Sequence, residues 1–519
     1  MQAIQQGPTA PELTLRALSR YGDAIAFSGH GGSLTYAESR DLVGRYQRVF
    51  SDAGMRRGER VALLSANRAD AWLALLAAQA LGLCGTSLHP LGSLADHLFV
   101  LEDAAIDYLI VDAEAYGERG GELSVSAPAL KQTFTIGRIS YGRDLSVSSA
   151  SVGSATPRVD AEPLDAAMLG YTGGTTGKSK GAIRQHPSVV AMTNAVLSEF
   201  EWPTRTTYLS VAPMSHVGGT KLAPTLLRGG RVHFHHGFDP DRILYDIEAE
   251  GVSVTLLVPT MIYVLLDHPK LSDADLSSLE LLLYGASPMS PTRLSEGLER
   301  IGPVFSQLYG QTECYPISVL PRAAHSAAEP ELMASCGRLC SSVSLALLGE
   351  SGQVVEAGDV GEICVRAPQA MNEYLGRPEQ TADAFAGGWL HTGDMARADD
   401  RGYLYIVDRK KDLIISGGFN VYPREIEDIL SADPTVASAA VIGVPDEKWG
   451  EAVKAVVVAR GDSVIDPQAL IERVKAVKGS VEAPKSVDVV SELPLTAIGK
   501  PDKKALRERY WHDRDRRVG

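Results

Sequence analysis

The 519-residue sequence predicts an α/β fold: a large N-terminal domain of stacked α/β sheets, a small β subdomain, and a small α+β C-terminal domain. Short apolar runs alternate with helical stretches to about residue 115 and again after the helix expected at 187–200, each run ending in a turn, which is the pattern of βαβ units. From Gly361 the strands shorten, as in Gly361–Arg366, and beyond Arg409 strands and helices mix over a length that suits a small domain. At about 150 residues per domain the chain corresponds to two to four domains. A hydrophobic fraction of 45% is enough to supply their cores.

Residues 11–60 read as a helix, a hairpin around Gly29–Ser33, and a second helix opening at Thr35, where Thr35 and Glu38 have capping-box spacing. Val61–Leu64 is a short strand. Ala71–Leu88 carries no charge for eighteen residues, the lower limit for a membrane span, but its alanines, Gln79, Gly82 and Gly85 favour a buried helix ending near Gly82. Ser146–Ser154 is rich in serine and reads as a flexible connector, and the apolar Ala166–Gly170 as a buried strand. Strands at 207–212, 254–259 and 281–284 continue the βα series, and their repetition predicts two stacked sheets. Past the β-rich stretch come a strand at 412–415, a Gly-Gly turn, a helix begun by Pro423, strands near 436–444 and 453–459, and a helix near 467–477.

Composition excludes some functions. A net charge of −14 argues against an electrostatic nucleic-acid binder, which needs a basic face. Five cysteines, an odd number in a long chain, point to a reducing compartment, and the start of the sequence has neither a basic nor an apolar signal region, so a cytoplasmic protein without an integral membrane segment is expected. Cys336 and Cys340 have no second Cys/His pair with metal-ligand spacing. In His233, His235 and His236 strand alternation puts the first two on one face and the third on the other, which reads as a solvated strand end rather than a metal site.

Hydroxyls, glycines and lysines are densest between Tyr171 and Ala182. Gly173, Gly174 and Gly177 let backbone N–H groups turn toward an anion, Thr172, Thr175 and Thr176 add hydroxyl donors, and Lys178 and Lys180 add charge, so this segment is read as phosphate-binding. It follows a strand, and open α/β sheets bind ligands at the carboxyl ends of their strands. A Walker loop needs glycine five positions before Gly177, and that position is Thr172.

The string instead resembles the [ST]-[SG]-G-[ST]-T-G-x-P-K-G signature of the adenylate-forming superfamily, which includes acyl-CoA synthetases, peptide-synthetase adenylation domains and luciferases; Ser179 stands where proline is usual. The resemblance extends through the chain, from about residue 30 to 505. Tyr309-Gly310-Gln311-Thr312-Glu313 has the family form Y-G-x-T-E, which implies that Glu313 holds Mg²⁺ with Thr176, that Thr312 reaches phosphate, and that Tyr309 stacks on adenine beside Gly310 and Gln311. A carboxylate is a suitable ligand for the hard cation a triphosphate needs. Gly285, Ala286 and Ser287, which follow Tyr284, resemble the adenine-contacting turn, and Thr392-Gly393-Asp394 the ribose-binding T-G-D, where two acceptor oxygens suit a vicinal diol. Residues 408–423 resemble the hinge region, which implies that Ile406 packs on adenine, that Arg409 touches ribose or phosphate, that Lys411 is the hinge of a mobile C-terminal domain, and that Ser416, Gly417 and Gly418 line a tunnel for coenzyme A. Residues 493–500 resemble L-P-x-T-x-x-G-K, whose lysine, here Lys500, enters the site for adenylation. His216, Gly218 and Gly219, with Tyr284, fall at acyl-pocket positions, the glycines hinting at a roomy pocket; His216 also reads as a hydrogen-bonded core histidine.

Together the motifs imply an N-terminal adenylation domain over 1–408, a C-terminal domain over 409–519, and an ATP-, Mg²⁺- and coenzyme A-dependent ligase of the fatty-acid–CoA ligase-like branch. Its substrate would be a small-molecule carboxylic acid, with fatty, aryl and alicyclic acids all open. An enzyme of the second half-reaction alone, delivery to a carrier protein, and a nucleotide-binding pseudoenzyme are the alternatives, and a homodimer is compatible with the sequence.

Overall fold

The computed structural model describes residues 7–171, 179–287, 289–326, 328–410, 412–416, 419–446, 449–495 and 501–511. Among these residues the N-terminal domain carries two large sheets. A nine-stranded sheet runs in the order Arg338–Leu339, Cys314–Leu320, Phe305–Gln311, Leu281–Gly285, Val254–Leu257, Thr207–Ser210, Arg231–Phe234, Ile25–Gly29, Leu34–Thr35. An eight-stranded sheet runs Glu373–Tyr374, Gly181–Gln185, Ala166–Tyr171, Cys84–Ser87, Arg60–Leu64, Tyr108–Asp112, Gln132–Ile136, Arg143–Asp144.

Alternation along the strands makes the two sheets stack. In the nine-stranded sheet Tyr208 and Leu283 enter the core shared with the eight-stranded sheet, while Leu209, Leu282 and Tyr284 enter a second core on the opposite face. In the other sheet Val61 and Leu63 face the shared core, and Ala62 and Leu64 face outward into a third. Strands buried on both faces read as continuous apolar runs, which is why Leu281–Leu283 shows no polar alternation.

A four-stranded antiparallel sheet, Ser344–Leu348, Gly361–Arg366, Leu390–Ala398 and Leu404–Arg409, forms the β subdomain. The C-terminal domain is built on Phe419–Val421, Ile414–Ser416, Gly450–Ala459 and Val436–Asp446, with Ser486–Val490 parallel to Gly450–Ala459. Helices Pro423–Ser431 and Pro467–Glu482 cover it, and Ile426, Leu430, Leu470 and Val474 fill its own core.

Local signals account for several boundaries. Thr35 and Glu38 make the capping box that starts helix Tyr36–Asp52. Helix Ala69–Ala80 stops just before Gly82, whose φ of +87° suits glycine at a helix end. The hairpin expected near residue 30 forms between Ile25–Gly29 and Leu34–Thr35, but its first strand also pairs in parallel with Arg231–Phe234, a contact made across some 200 residues of chain.

Two expectations are corrected. Ser146–Ser154 is not simply a connector: Leu145–Ala150 is helical because Asp144 accepts hydrogen bonds from the N–H groups of Ser146 and Val147 while Leu145 is buried. Nor are His233 and His235 solvated. Both are buried on Asp246 Oδ2, at 3.1 and 2.5 Å, while Arg242 lies 3.0 Å from each carboxylate oxygen, so the guanidinium already balances the charge a cation would meet there. His236 is exposed, with its ring 3.7 Å from that of His30.

Candidate active site

The antiparallel pair Phe305–Gln311 and Cys314–Leu320 organises the site. Its two-residue tip is Thr312-Glu313, so the pairing that sets the hairpin also projects these two side chains from the sheet. The tip lies against the end of strand Ala166–Tyr171: a Cβ added at Gly170 would come 3.0 Å from Thr312 Cγ2. Residues 172–178, which include the candidate phosphate ligands Thr172, Gly173, Gly174, Thr175, Thr176 and Gly177, lie outside the described residues. The strand entering that segment and the strand leaving it, Gly181–Gln185, form an antiparallel pair.

Glu313 is half-buried and accepts a hydrogen bond on Oε1 from the Tyr374 hydroxyl at 2.7 Å; its main-chain carbonyl accepts from Met371 N at 2.6 Å. Among the described residues, no hydrogen bond or ion pair engages its Oε2. Lys180 places its ammonium 4.9 Å from the centroid of the Tyr374 ring. Buried nearby, Gln311 Nε2 has no hydrogen-bond partner among the described residues, an orphan donor of the kind a bound nucleotide would satisfy.

Two of the candidate nucleoside-binding side chains converge on a third, Asp394. The Tyr309 hydroxyl donates to its Oδ2 at 2.7 Å and Arg409 Nε lies 3.3 Å from its Oδ1, because Asp394 and Arg409 are partners across the antiparallel strands of the β subdomain. Burial, then the adjacent Asp394 carboxylate, raises the Tyr309 phenol well above its ordinary pKa, so it remains a donor. The turn before Asp394 is tied down: Thr392 Oγ1 donates to the carbonyl of Ile363 at 2.7 Å, and Glu362 accepts from Gly393 N at 3.0 Å while Lys410 Nζ lies 3.2 Å from its other oxygen. Ile406, opposite Ala396 on the same strands, is half-buried against the shared core.

At the end of strand Leu281–Gly285, Ala286 has a φ of +64°, a left-handed conformation that costs a non-glycine residue energy and clusters at functional turns. Gly285 before it is required, since a Cβ there would lie 2.3 Å from the carbonyl oxygen of Leu308 on the next strand. Ser287 is half-buried at the same turn.

The residues expected at the acyl pocket divide. His216 is half-buried, with Nδ1 2.7 Å from Ser215 Oγ and its ring 4.5 Å from that of His89; burial, then His89, lowers its pKa to about 4. The absent side chains of Gly218 and Gly219 open no volume as the sequence hinted: Cβ atoms there would lie 2.6 Å from the Ala212 carbonyl oxygen and 2.0 Å from that of Met214, so backbone fills the space. Tyr284 is corrected as well. Its side chain is fully buried in the second core, edge-on to Phe305, with its hydroxyl 2.9 Å from His325 Nε2.

Ser416 is buried at the end of its strand, opposite Phe419 and Gly450. Gly417, Gly418, Lys411 and Lys500 lie outside the described residues. Sequence reasoning missed Tyr374, which belongs to no recognised string, and Lys221, which follows the acyl-pocket motif and is fully buried with its Nζ 2.5 Å from the Tyr315 hydroxyl. No local pattern marks Tyr374, since its partners come from strands near residues 182 and 313.

The AMP-binding enzyme model matches residues 15–375, and the AMP-binding enzyme C-terminal domain model matches residues 425–500. Medium/long-chain-fatty-acid–CoA ligase FadD8 of Mycobacterium tuberculosis is 45% identical over 98% of this chain and 91% of its own length. Feruloyl-CoA synthase of an Amycolatopsis species is 38% identical over 93% and 95%. Among solved structures, amide bond synthetase McbA from Marinactinospora thermotolerans aligns with a TM-score of 0.89 at 33% identity, covering 96% of this chain and all of that one.

Proposed function

The chain belongs to the AMP-binding enzyme family, and from that premise we propose that it activates a hydrophobic carboxylic acid as the acyl-adenylate and passes the acyl group to coenzyme A. ATP-dependent ligation of an acid to coenzyme A is the activity of the family branch its relatives represent. The observation that carries the reading is that one hairpin delivers Tyr309 to Asp394 and, from its tip, Thr312 to the strand that enters the glycine-rich segment and Glu313 to Tyr374, which pairs with the strand that leaves it.

In the first step a carboxylate oxygen of the acid attacks the α-phosphorus of ATP, the bond to the β-phosphate oxygen breaks, and pyrophosphate leaves. Asp394 holds the ribose hydroxyls, its carboxylate fixed by Tyr309 and Arg409. Thr312 and the backbone N–H groups of 172–177, with Lys180, bind phosphate oxygens, and Lys500 balances the charge that builds at the α-phosphorus. Glu313 and Thr176 would hold Mg²⁺, which when bound neutralises charge on the phosphates. In the second step the coenzyme A thiol, deprotonated, attacks the acyl carbon and AMP departs; adenylation has replaced a poor leaving group with a good one. His216 sits beside the acid, and Ser416, Gly417 and Gly418 line the thiol's path. A domain boundary at 408/409 and a hinge at Lys411 allow the C-terminal domain to exchange roles between steps. A cytoplasmic setting and a homodimer complete the proposal.

The test is to incubate the chain with Mg·ATP, coenzyme A and a panel of fatty, aryl and alicyclic acids, following AMP, ADP and acyl-CoA by mass spectrometry. AMP with one acyl-CoA supports the ligase, and Lys500→Ala should lose adenylation while retaining thioester formation from supplied adenylate. Thioester only from supplied adenylate means a half-reaction enzyme. Because a solved neighbour is an amide bond synthetase, an amine is included; amide in place of thioester would change the acceptor. ADP as product would refute the mechanism.

A further inference from the structure

We propose that Tyr374 is a positioning residue for Glu313, its hydroxyl occupying one carboxylate oxygen so that the other is presented to the metal–nucleotide complex. The inference rests on the reading of Glu313 as the metal-holding residue. Tyr374 is 8% exposed and belongs to the two-residue strand Glu373–Tyr374, paired with Ala182 and Ile183 where the chain leaves the glycine-rich segment. Three residues before it, Met371 N donates to the main-chain carbonyl of Glu313 at 2.6 Å, while the Tyr374 hydroxyl donates to Glu313 Oε1 at 2.7 Å. The short segment 371–374 therefore grips Glu313 by main chain and side chain together. The other face of the arrangement is the Tyr374 ring, over which Lys180 Nζ stands at 4.9 Å.

This geometry has a chemical consequence. A carboxylate with both oxygens open can chelate a divalent cation, an arrangement Ca²⁺ accepts readily, whereas Mg²⁺ demands near-octahedral single-oxygen ligation. With Oε1 held by the phenol, Oε2 is the oxygen offered, and the site is set for Mg²⁺ over Ca²⁺.

The experiment measures binding of α,β-methylene-ATP, whose reacting bridge cannot be cleaved, to the full chain by calorimetry in EDTA, in saturating Mg²⁺ and in saturating Ca²⁺. For Tyr374→Phe, which keeps the ring beneath Lys180, affinity in EDTA should match wild type. The tightening given by Mg²⁺ should fall by about tenfold or more, as for other residues that orient metal ligands, and that given by Ca²⁺ should fall less. An unchanged Mg²⁺ effect would overturn the inference. So would an equal loss in EDTA and in Mg²⁺, which would make Tyr374 a support for the whole site. Glu313→Gln separates the two levels: if it keeps the Mg²⁺ effect, the metal role of Glu313 is wrong and the inference falls with it; if it loses the effect and Tyr374→Phe does not, only the positioning role is wrong.

Discussion

Replacing Lys221 by methionine should exchange a fixed loss of stability for a gain that grows as pH falls. Lys221 is fully buried in the shared core region; its Nζ donates to Thr220 Oγ1 at 2.9 Å and bonds the Tyr315 hydroxyl at 2.5 Å, with the rings of Phe200 and Tyr315 at 5.3 and 4.7 Å. Among the described residues no carboxylate pairs with it. Burial therefore lowers its pKa well below that of an exposed lysine, and the folded amine is neutral where the unfolded one is charged. In that window the unfolded chain binds one more proton, so stability rises with pH by about 1.4 kcal/mol per unit; it is lost as pH falls from about 10.4 toward the depressed folded value. Methionine, of similar length, removes this dependence together with the amine's hydrogen bond to the buried Tyr315 hydroxyl, at about 0.5–1.5 kcal/mol. Near pH 10 the variant should be the less stable protein by roughly that amount. On lowering the pH the gap should close by about 1.4 kcal/mol per unit, reverse, and flatten below the folded pKa. Urea unfolding of both proteins across this range, followed by tryptophan fluorescence, reads the difference directly. A gap that stays constant with pH would show the buried amine to be charged and refute the reasoning.

Tyr309→Phe deletes the donor to the Asp394 carboxylate; a hydrogen bond to a charged group is worth about 1.5–3 kcal/mol, so kcat/KM for ATP should fall by about 10- to 150-fold with the KM for the acid little changed. Gly219→Ala puts a methyl group where the Met214 carbonyl oxygen is 2.0 Å away and should lower the melting temperature sharply, whereas Gly153→Ala, with nothing within 4 Å, should leave it unchanged. His186, His216 and His325 are each lowered to about 4 by burial, so the unfolded chain takes up protons first and stability should drop as pH falls from about 6.5 toward 4, by up to roughly 3 kcal/mol per histidine. Acid unfolding should therefore begin later in the His186→Phe/His325→Phe pair than in wild type.

Contiguous strings name most of the residues of the candidate site. The string Tyr309–Glu313 spans the tip of one hairpin, and Asp394 of the string Thr392–Asp394 is aligned with Arg409 across two strands. The capping box at Thr35, the apolar strands and the change of texture after Gly361 fixed the fold class, because each is a local interaction within a few residues of chain. Other features needed the assembled molecule. That Gly218 and Gly219 make room for backbone carbonyls rather than for a ligand is decided by a loop folding back on Ala212 and Met214. That His233 and His235 are buried depends on Asp246 and Arg242 arriving from the following helix. Tyr374 and Lys221 gain their partners from segments some 60 to 190 residues distant. Local chemistry determines which side chains can cap, turn or bind a phosphate, and that is written in adjacent residues. Which polar group is desolvated, and what satisfies it there, depends on packing between elements far apart in the chain, and only the tertiary structure decides it.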